Sequence, residues 1–310
     1  MAKQSQAEQV KALAEQVTDQ IINAIETGIA NGDKWIRPWN VSNVFPINAT
    51  TGKPYNGMNA LILSLLFGGG HYGGYGQWKA KFNAQVRKGE TGIPILAPMM
   101  KPTGRKDSNG KDEMAPIGFK VVKIFRAEQV DGWDAPVQVA NHAFIDHSEA
   151  EKAIQYMVDQ GMDYRHGGDR AYFSGGMDYV QMPDKSAFPV ASDYYATALH
   201  EAVHWTGHST RLNRHKAIGD AYGRHSYAFE ELVAELGATM LSGELGVHQG
   251  YRDDHAHYIA GWLEVMKGDK QAIMQAASLA GKAVDVIMGR RTLKGVWIPQ
   301  DKAVAVKAAA

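Results

Sequence analysis

The run His200-Glu201-Ala202-Val203-His204 commits this chain to a helix at that point. Helical spacing puts residues i and i+4 on one face, where two imidazoles reach the same ion. Glu201 stands one residue round the helix, placed to take a proton from water that the ion acidifies. With 12 histidines in 310 residues, composition alone supplies about 0.02 such patterns. The run is therefore read as a metal site and not as two surface histidines. Ala196, Leu199, Ala202 and Val203 continue an apolar stripe over about 193–206, with Ser192 expected to cap its start and Gly207 to end it.

Two histidines leave a divalent ion short of a third protein ligand. In the metzincin layout a glycine stands seven residues after the first histidine and a third histidine ten after it. Gly207 fills the glycine place, but Thr210 stands where the histidine belongs, and His208 falls just past the helix end. The alternative is a carboxylate from a second helix, and residues 227–241 offer Glu230, Glu231 and Glu235. Glu231 and Glu235 share a face, with Ala234 and Ala238 flanking it and Val233 and Gly237 off it. Glu231 is the expected third ligand and Glu235 the acceptor that orients a ligand imidazole; the swapped assignment stays open. Glu230 reads as a solvated surface carboxylate. The ion is one divalent metal, with zinc the first expectation and manganese(II) the second.

The remaining histidines carry weaker signals. His208, His215 and His225 lie between the two helices and are candidates for a cleft wall, though each is more often a surface residue. His248, His255 and His257 are candidate transition-state donors that the sequence does not rank. Residues 178–182 form a strand that could serve as the edge on which an extended peptide pairs.

Elsewhere the pattern alternates between helices and short strands. Val10, Leu13, Val17, Ile21 and Ile25 define a first helix over residues 6–27, ended by Gly28. Residues 59–67 read as a buried helix, 68–76 as a glycine–tyrosine loop and 78–85 as helix. Residues 94–98 and 118–126 are strands, and the polar stretch 101–113 between them reads as a mobile hairpin tip. Residues 127–147 form a connector, followed by a helix over 148–160 capped by Ser148. Strands over 171–174 and 178–182 join through Gly175-Gly176, and helices are expected at 256–266 and 270–288.

With 33 basic and 33 acidic residues the net charge is zero. Residues 34–126 nevertheless hold 14 basic side chains against 4 acidic ones, whereas residues 141–280 hold 11 against 19. A basic block followed by an acidic block suggests two units with different partners. The domains are placed at 1–135 and 136–310, the second ending in a basic tail. The absence of cysteine excludes disulfides and thiolate ligands and fits a cytoplasmic protein. The N-terminus lacks the apolar region of a signal peptide, and the longest apolar stretch, residues 60–67, is too short to span a membrane.

Several segments together resemble ArdC-type plasmid antirestriction proteins. In the rear half these are Tyr194-Tyr195, residues 200–208 (HEAVHWTGH), Arg211-Leu212-Asn213-Arg214 and residues 227–238. The front half adds Pro38-Trp39, residues 48–55, residues 57–60 and Lys88-Gly89-Glu90. The rear segments also resemble the domain linked to some plasmid primases. The resemblance implies a single-stranded-DNA-binding domain joined to a zincin-like metallopeptidase domain, in a protein that shields incoming plasmid DNA from host restriction during conjugation. It carries over His200, Glu201 and His204 directly, and Glu231 through the second helix.

The front block reads independently as a surface for single-stranded DNA, which needs cations along a groove and aromatic faces for stacking. The candidates are Lys34, Arg37, Lys53, Tyr72, Tyr75, Lys79, Lys81, Arg87 and Lys88. Trp39 and Trp78 are expected in the core, whereas Tyr72 and Tyr75, on the glycine loop, are the stacking candidates. That loop lacks the ending of a phosphate-binding P-loop. The expected fold is α+β, a small mixed DNA-binding domain followed by a mainly helical zincin-like domain with a small sheet. Two alternatives compete: a DNA-coating protein whose metal domain is structural or cryptic, and a peptidase, acting on a protein or peptide, with no nucleic-acid role.

Overall fold

The first helix, α1 (Gln6–Asn31), buries Leu13, Ala14, Val17, Ile21 and Ile25 along the expected stripe. It runs past Gly28, because one glycine costs a helix only about 1 kcal/mol and nothing crowds its surroundings. The structure is a computed structural model, and it describes residues 5–31, 45–106, 110–134, 147–247 and 256–293. The fold is α+β, as the composition of segments implies.

The front half is built on a five-stranded sheet of order β2-β1-β3-β6-β5. Its strands are β1 (Pro46–Asn48), β2 (Lys53–Pro54), β3 (Gly70–Gly74), β5 (Ile93–Lys106) and β6 (Asp112–Arg126). The helices α2 (Gly57–Leu66) and α3 (Tyr75–Phe82) accompany it, and β4 (Gln85–Val86) pairs with β7 (Val130–Asp131). One expectation fails here and another holds only in part. The glycine–tyrosine loop is the central strand, β3. Its glycines admit bulky neighbours, since a Cβ on Gly73 would lie 3.0 Å from the Trp78 ring and one on Gly70 3.3 Å from the Arg126 guanidinium. The polar stretch 101–113 does join the two strands as a hairpin, but most of it is strand, because β5 runs on to Lys106 and β6 starts at Asp112, with a 2.7 Å ion pair between those residues. A ribbon exposed on both faces has no apolar alternation to betray it.

The connector begins with a short 3-10 turn (Ala127–Gln129) and then β7, which pairs with β4 in a separate two-stranded sheet, so its start belongs to the front half; the expected domain boundary after residue 135 lies outside the described residues. The rear half then places α4 (Ser148–Asp159), whose N-cap is His147 and not Ser148. A three-stranded sheet of order β8-β10-β9 follows, from β8 (Asp163–His166), β9 (Tyr172–Ser174) and β10 (Tyr179–Met182). The strand expected at the edge, residues 178–182, is therefore interior. It is flanked by β8, whose polar sequence DYRH gives no strand signal, and by β9, so those two strands are the edges.

The helices α5 (Ala191–Thr206), α6 (Arg214–Tyr222), α7 (Ser226–Leu245), α8 (Ala256–Gly268) and α9 (Ala272–Ile287) complete the described chain. One continuous cluster of buried residues runs from α1 and α2 through α5, α7, α8 and α9, so the halves share a core. α5 and α7 cross closely because Gly237 faces Val203, with a Cβ there only 2.8 Å from Val203 Cγ2. The approach thus depends on a glycine that the helical wheel set aside. Among the described residues no helix is long and apolar enough to cross a membrane.

Candidate metal centre and front pocket

α5 presents His200 and His204 one turn apart, with their Nε2 atoms 3.2 Å from each other. α7 brings Glu231 against both, Oε2 lying 3.4 Å from His200 Nε2 and Oε1 3.5 Å from His204 Nε2. An ion about 2.0–2.2 Å from each of three tetrahedrally arranged donors needs them roughly 3.4 Å apart, so the spacing fits. The structure thus groups the three expected ligands, all at least nine-tenths buried or nearly so in their side chains. Glu235 Oε2 approaches His200 Nδ1 at 3.4 Å, on the side away from the cluster, where an orienting carboxylate belongs.

Electrostatics support the same fit. Burial opposes a proton on either imidazole, yet Glu231 and Glu235 raise the pKa of His200, and Glu230 and Glu231 raise that of His204 to about 10. Burial opposes charge on Glu231 too, but the two imidazoles hold its carboxyl well below the usual range. Donors that draw protons this strongly also draw a divalent cation, which displaces those protons.

The cluster sits at the floor of a cleft of about 440 Å³ that Glu201, His215, Tyr172, Phe173 and Tyr227 also line. Edge strand β9 forms one wall and the start of α7 another. Glu201 is buried at 6% exposure beside the ligands.

Glu230 is not a solvated carboxylate. Its side chain is 12% exposed and receives His204 Nδ1 at 3.1 Å, His215 Nε2 at 3.2 Å and both arms of Arg214 at 2.6 and 3.0 Å. Burial alone would raise its pKa, but the Arg214 charge and these donors hold it far below the carboxylate range. The sequence hid this role because α6, which delivers Arg214 and His215, has no apolar stripe. Of the other histidines, His208 lies 3.6 Å from Asp178 and His225 3.5 Å from Glu264, neither lining the cleft. His248 and His255 and the side chain of His257 lie outside the described residues.

Helix ends also differ from expectation. α5 starts from Val190 without a side-chain cap, so Ser192 is inside the first turn. Gly207 does follow the helix, but with φ −78°. A left-handed turn is therefore not why glycine stands there; a Cβ would sit 2.2 Å from His215 Nε2.

In the front half, Tyr75, Arg87 and Lys88 line one open pocket together with Gln85 and Phe125. Tyr75 is 57% exposed, its ring edge-on to Phe125 at 5.9 Å. Tyr72 is fully buried and cannot stack on a ligand, because β3 turns it into the sheet's core. Arg87 is ion-paired with Glu90 and Asp131 at 3.1 and 3.2 Å. Lys53, Lys79 and Lys81 are exposed but lie outside this pocket, Lys81 reaching the carbonyl of Thr50. Lys34, Arg37 and Trp39 lie outside the described residues, and Trp78 is buried as expected.

Comparison with known proteins converges on one class. Residues 150–279 match the zincin-like metallopeptidase family, and residues 11–127 match the N-terminal domain of anti-restriction factor ArdC. The crystal structure of the antirestriction ArdC protein from plasmid R388 superposes with a TM-score of 0.66 at 32% identity, covering 94% of this chain and 98% of that one. Its Mn(II)-bound form gives 0.63 over 88% and 96%. An uncharacterised Sinorhizobium fredii protein, y4eC, is 35% identical over 87% of this chain and 90% of its own length. The Escherichia coli DNA primase TraC is 35% identical over 91% of this chain, which spans only 27% of that primase. The chain belongs to the ArdC-like family of antirestriction proteins, with a zincin-like domain that implies a divalent metal.

Proposed function

We propose that the protein binds single-stranded DNA through its front half and protects incoming plasmid DNA from restriction during conjugation, while its rear half is a metal-dependent peptidase. The peptidase reading is carried by one observation: His200, His204 and Glu231 converge at 3.2–3.5 Å beside Glu201 on the floor of an open cleft. Two imidazoles and a carboxylate at tetrahedral spacing favour zinc. Manganese(II), the ion in the comparison structure, is the second candidate.

When bound, the ion would supply Lewis acidity toward a carbonyl oxygen and toward water. The chain's own residues do the rest. The edge of β9 offers backbone groups along which an extended peptide lies beside the cluster. Glu201 accepts a proton from the water that attacks the carbonyl carbon and returns it to the amine nitrogen as the C–N bond breaks. Its burial keeps bulk water from competing for that proton.

For DNA, the supporting features are the exposed Tyr75 ring, Phe125 and the Lys88 cation at one pocket of a basic half. Glu201→Gln tests the link between the two halves. The expected variant retains metal and single-stranded DNA binding and loses peptide cleavage. Restriction protection that survives intact in cells would show that proteolysis does not cause it, and the rear domain would then serve as a structural module.

A further inference from the structure

The segment Arg211-Leu212-Asn213-Arg214 takes no part in the chemistry described so far, yet its two arginines are among the least exposed charges in the rear half. Their side chains are 6% and 2% exposed. Both fold back on the C-terminus of α5, where the last carbonyls of a helix lack an intrahelical i+4 amide partner. Arg211 stacks on the Trp205 ring at 4.0 Å, donates to Trp205 O at 2.6 Å and pairs with Asp178. Arg214 donates to Val203 O at 2.5 Å and to Thr206 Oγ1 at 2.7 Å. Asn213 makes the fold-back possible by taking a left-handed conformation, φ 48° and ψ 39°, that asparagine tolerates.

The two clamps differ in one respect. Arg211 ends on Asp178, at the β9–β10 turn. Arg214 ends on Glu230, and the same Glu230 oxygen faces His204 Nδ1 at 3.1 Å. A carboxylate on Nδ1 keeps the hydrogen there and leaves the Nε2 lone pair facing the point where His200 and Glu231 converge, as a metal ligand requires. Glu230 could rotate among its donors were it free, but the two-point contact of Arg214, through Nε and Nη2, fixes its plane. Arg214 is itself anchored to Val203 O, one residue before His204. The chain of contacts therefore closes on itself: helix end, guanidinium, carboxylate, imidazole, helix end.

We propose that Arg214, acting through Glu230, is a positioning residue for the His204 imidazole, whereas Arg211 only secures the helix end. This rests on the reading of His200, His204 and Glu231 as metal ligands. The test measures Zn²⁺ affinity by competition with a chromogenic chelator, and the visible absorption of the Co²⁺-loaded protein, in full-length Glu230→Gln, Arg214→Lys, Arg211→Gln and His204→Ala. Glu230→Gln and Arg214→Lys should weaken Zn²⁺ binding about 10–100-fold and shift the Co²⁺ bands, while Arg211→Gln lowers the unfolding temperature and stays within about threefold of the parent affinity. Arg214→Lys keeps a cation beside Glu230 without the fork, so it decides the matter if Glu230→Gln does not fold. Parent-like affinity in both variants overturns the proposal, and so does an equal loss in Arg211→Gln, which would make both arginines merely structural. Parent-like affinity in His204→Ala would overturn the ligand assignment beneath it as well.

Discussion

Tyr72 and Tyr75 stand three residues apart in one glycine-rich stretch and meet opposite fates. Tyr72 lies inside β3, its hydroxyl donating to Gly68 O at 2.6 Å, and burial pushes its pKa up to about 12. Tyr75 is the first residue of α3, past the end of the strand's alternation, and its ring stays in solvent beside Phe125. Tyr75→Ala should therefore weaken binding of a labelled oligothymidine by about 1–3 kcal/mol in anisotropy titrations, with the unfolding temperature unchanged. Tyr72→Ala should instead cost about 3–5 kcal/mol of stability. Unchanged DNA affinity in Tyr75→Ala would remove this pocket from the proposed DNA surface. The sequence could not separate the two rings, because glycines mask the strand. It did expose His200, His204, Glu231 and Glu235, since each pair repeats at one helical turn. Glu230 escaped because its partners, Arg214 and His215, arrive from a short polar helix that periodicity does not reveal.

At the scale of elements, the His200–His204–Glu231 cluster depends on how closely α5 and α7 cross. Gly237→Ala pits two effects against each other. Helix propensity favours alanine over glycine by about 1 kcal/mol. Packing opposes it, because the new methyl would lie 2.8 and 3.1 Å from the two branches of Val203, a side chain with little rotamer freedom. Packing should win. The variant is expected to lose about 1–3 kcal/mol by urea unfolding and to bind Zn²⁺ more weakly as Glu231 is moved off the histidines. A gain in stability would show that the crossing is looser than described. Long amphipathic helices such as α1 and α9 were legible, their apolar stripes being dictated by burial, and α7, buried on nearly every face, was legible by its length and apolar content. β3, β8 and the outer β5–β6 ribbon were not, for want of alternation. The edge of β5 shows a subtler device. Leu96 bonds through both backbone groups to the Asn59 side chain, at 2.8 and 2.7 Å, instead of to β6. Pro94 and Pro98 share its parity and offer no amide, so the edge is closed to further strands.

For the whole molecule, the shared core predicts that the two halves unfold together, so a titration at their junction should register in global stability. The junction joins the N-terminus of α2 to the C-terminal part of α9. Asn56 caps α2 and donates to Gly281 O at 3.3 Å and Asp285 Oδ1 at 3.0 Å, while Gly281 packs directly on Gly57. Burial raises the pKa of Asp285 to about 6, against the opposing pull of Arg291 and the Asn56 hydrogen bond. Arg290, 3.7 Å away, is committed chiefly to Glu244. A carboxyl whose folded pKa exceeds its unfolded value stabilises the fold most at low pH, and loses that contribution as pH rises through the folded pKa. The sequence's zero net charge gives no hint of this, because the shift comes from where one aspartate is buried. Asp285→Asn keeps an acceptor for Asn56 and removes the desolvated charge. Its unfolding free energy from urea titrations should exceed the parent's at pH 8, by on the order of 1–3 kcal/mol, and the difference should shrink steadily as pH falls through 6 toward 5. A difference that stays constant over that range would show that Asp285 ionises as freely as in the unfolded chain, and that the junction does not couple the halves through this residue.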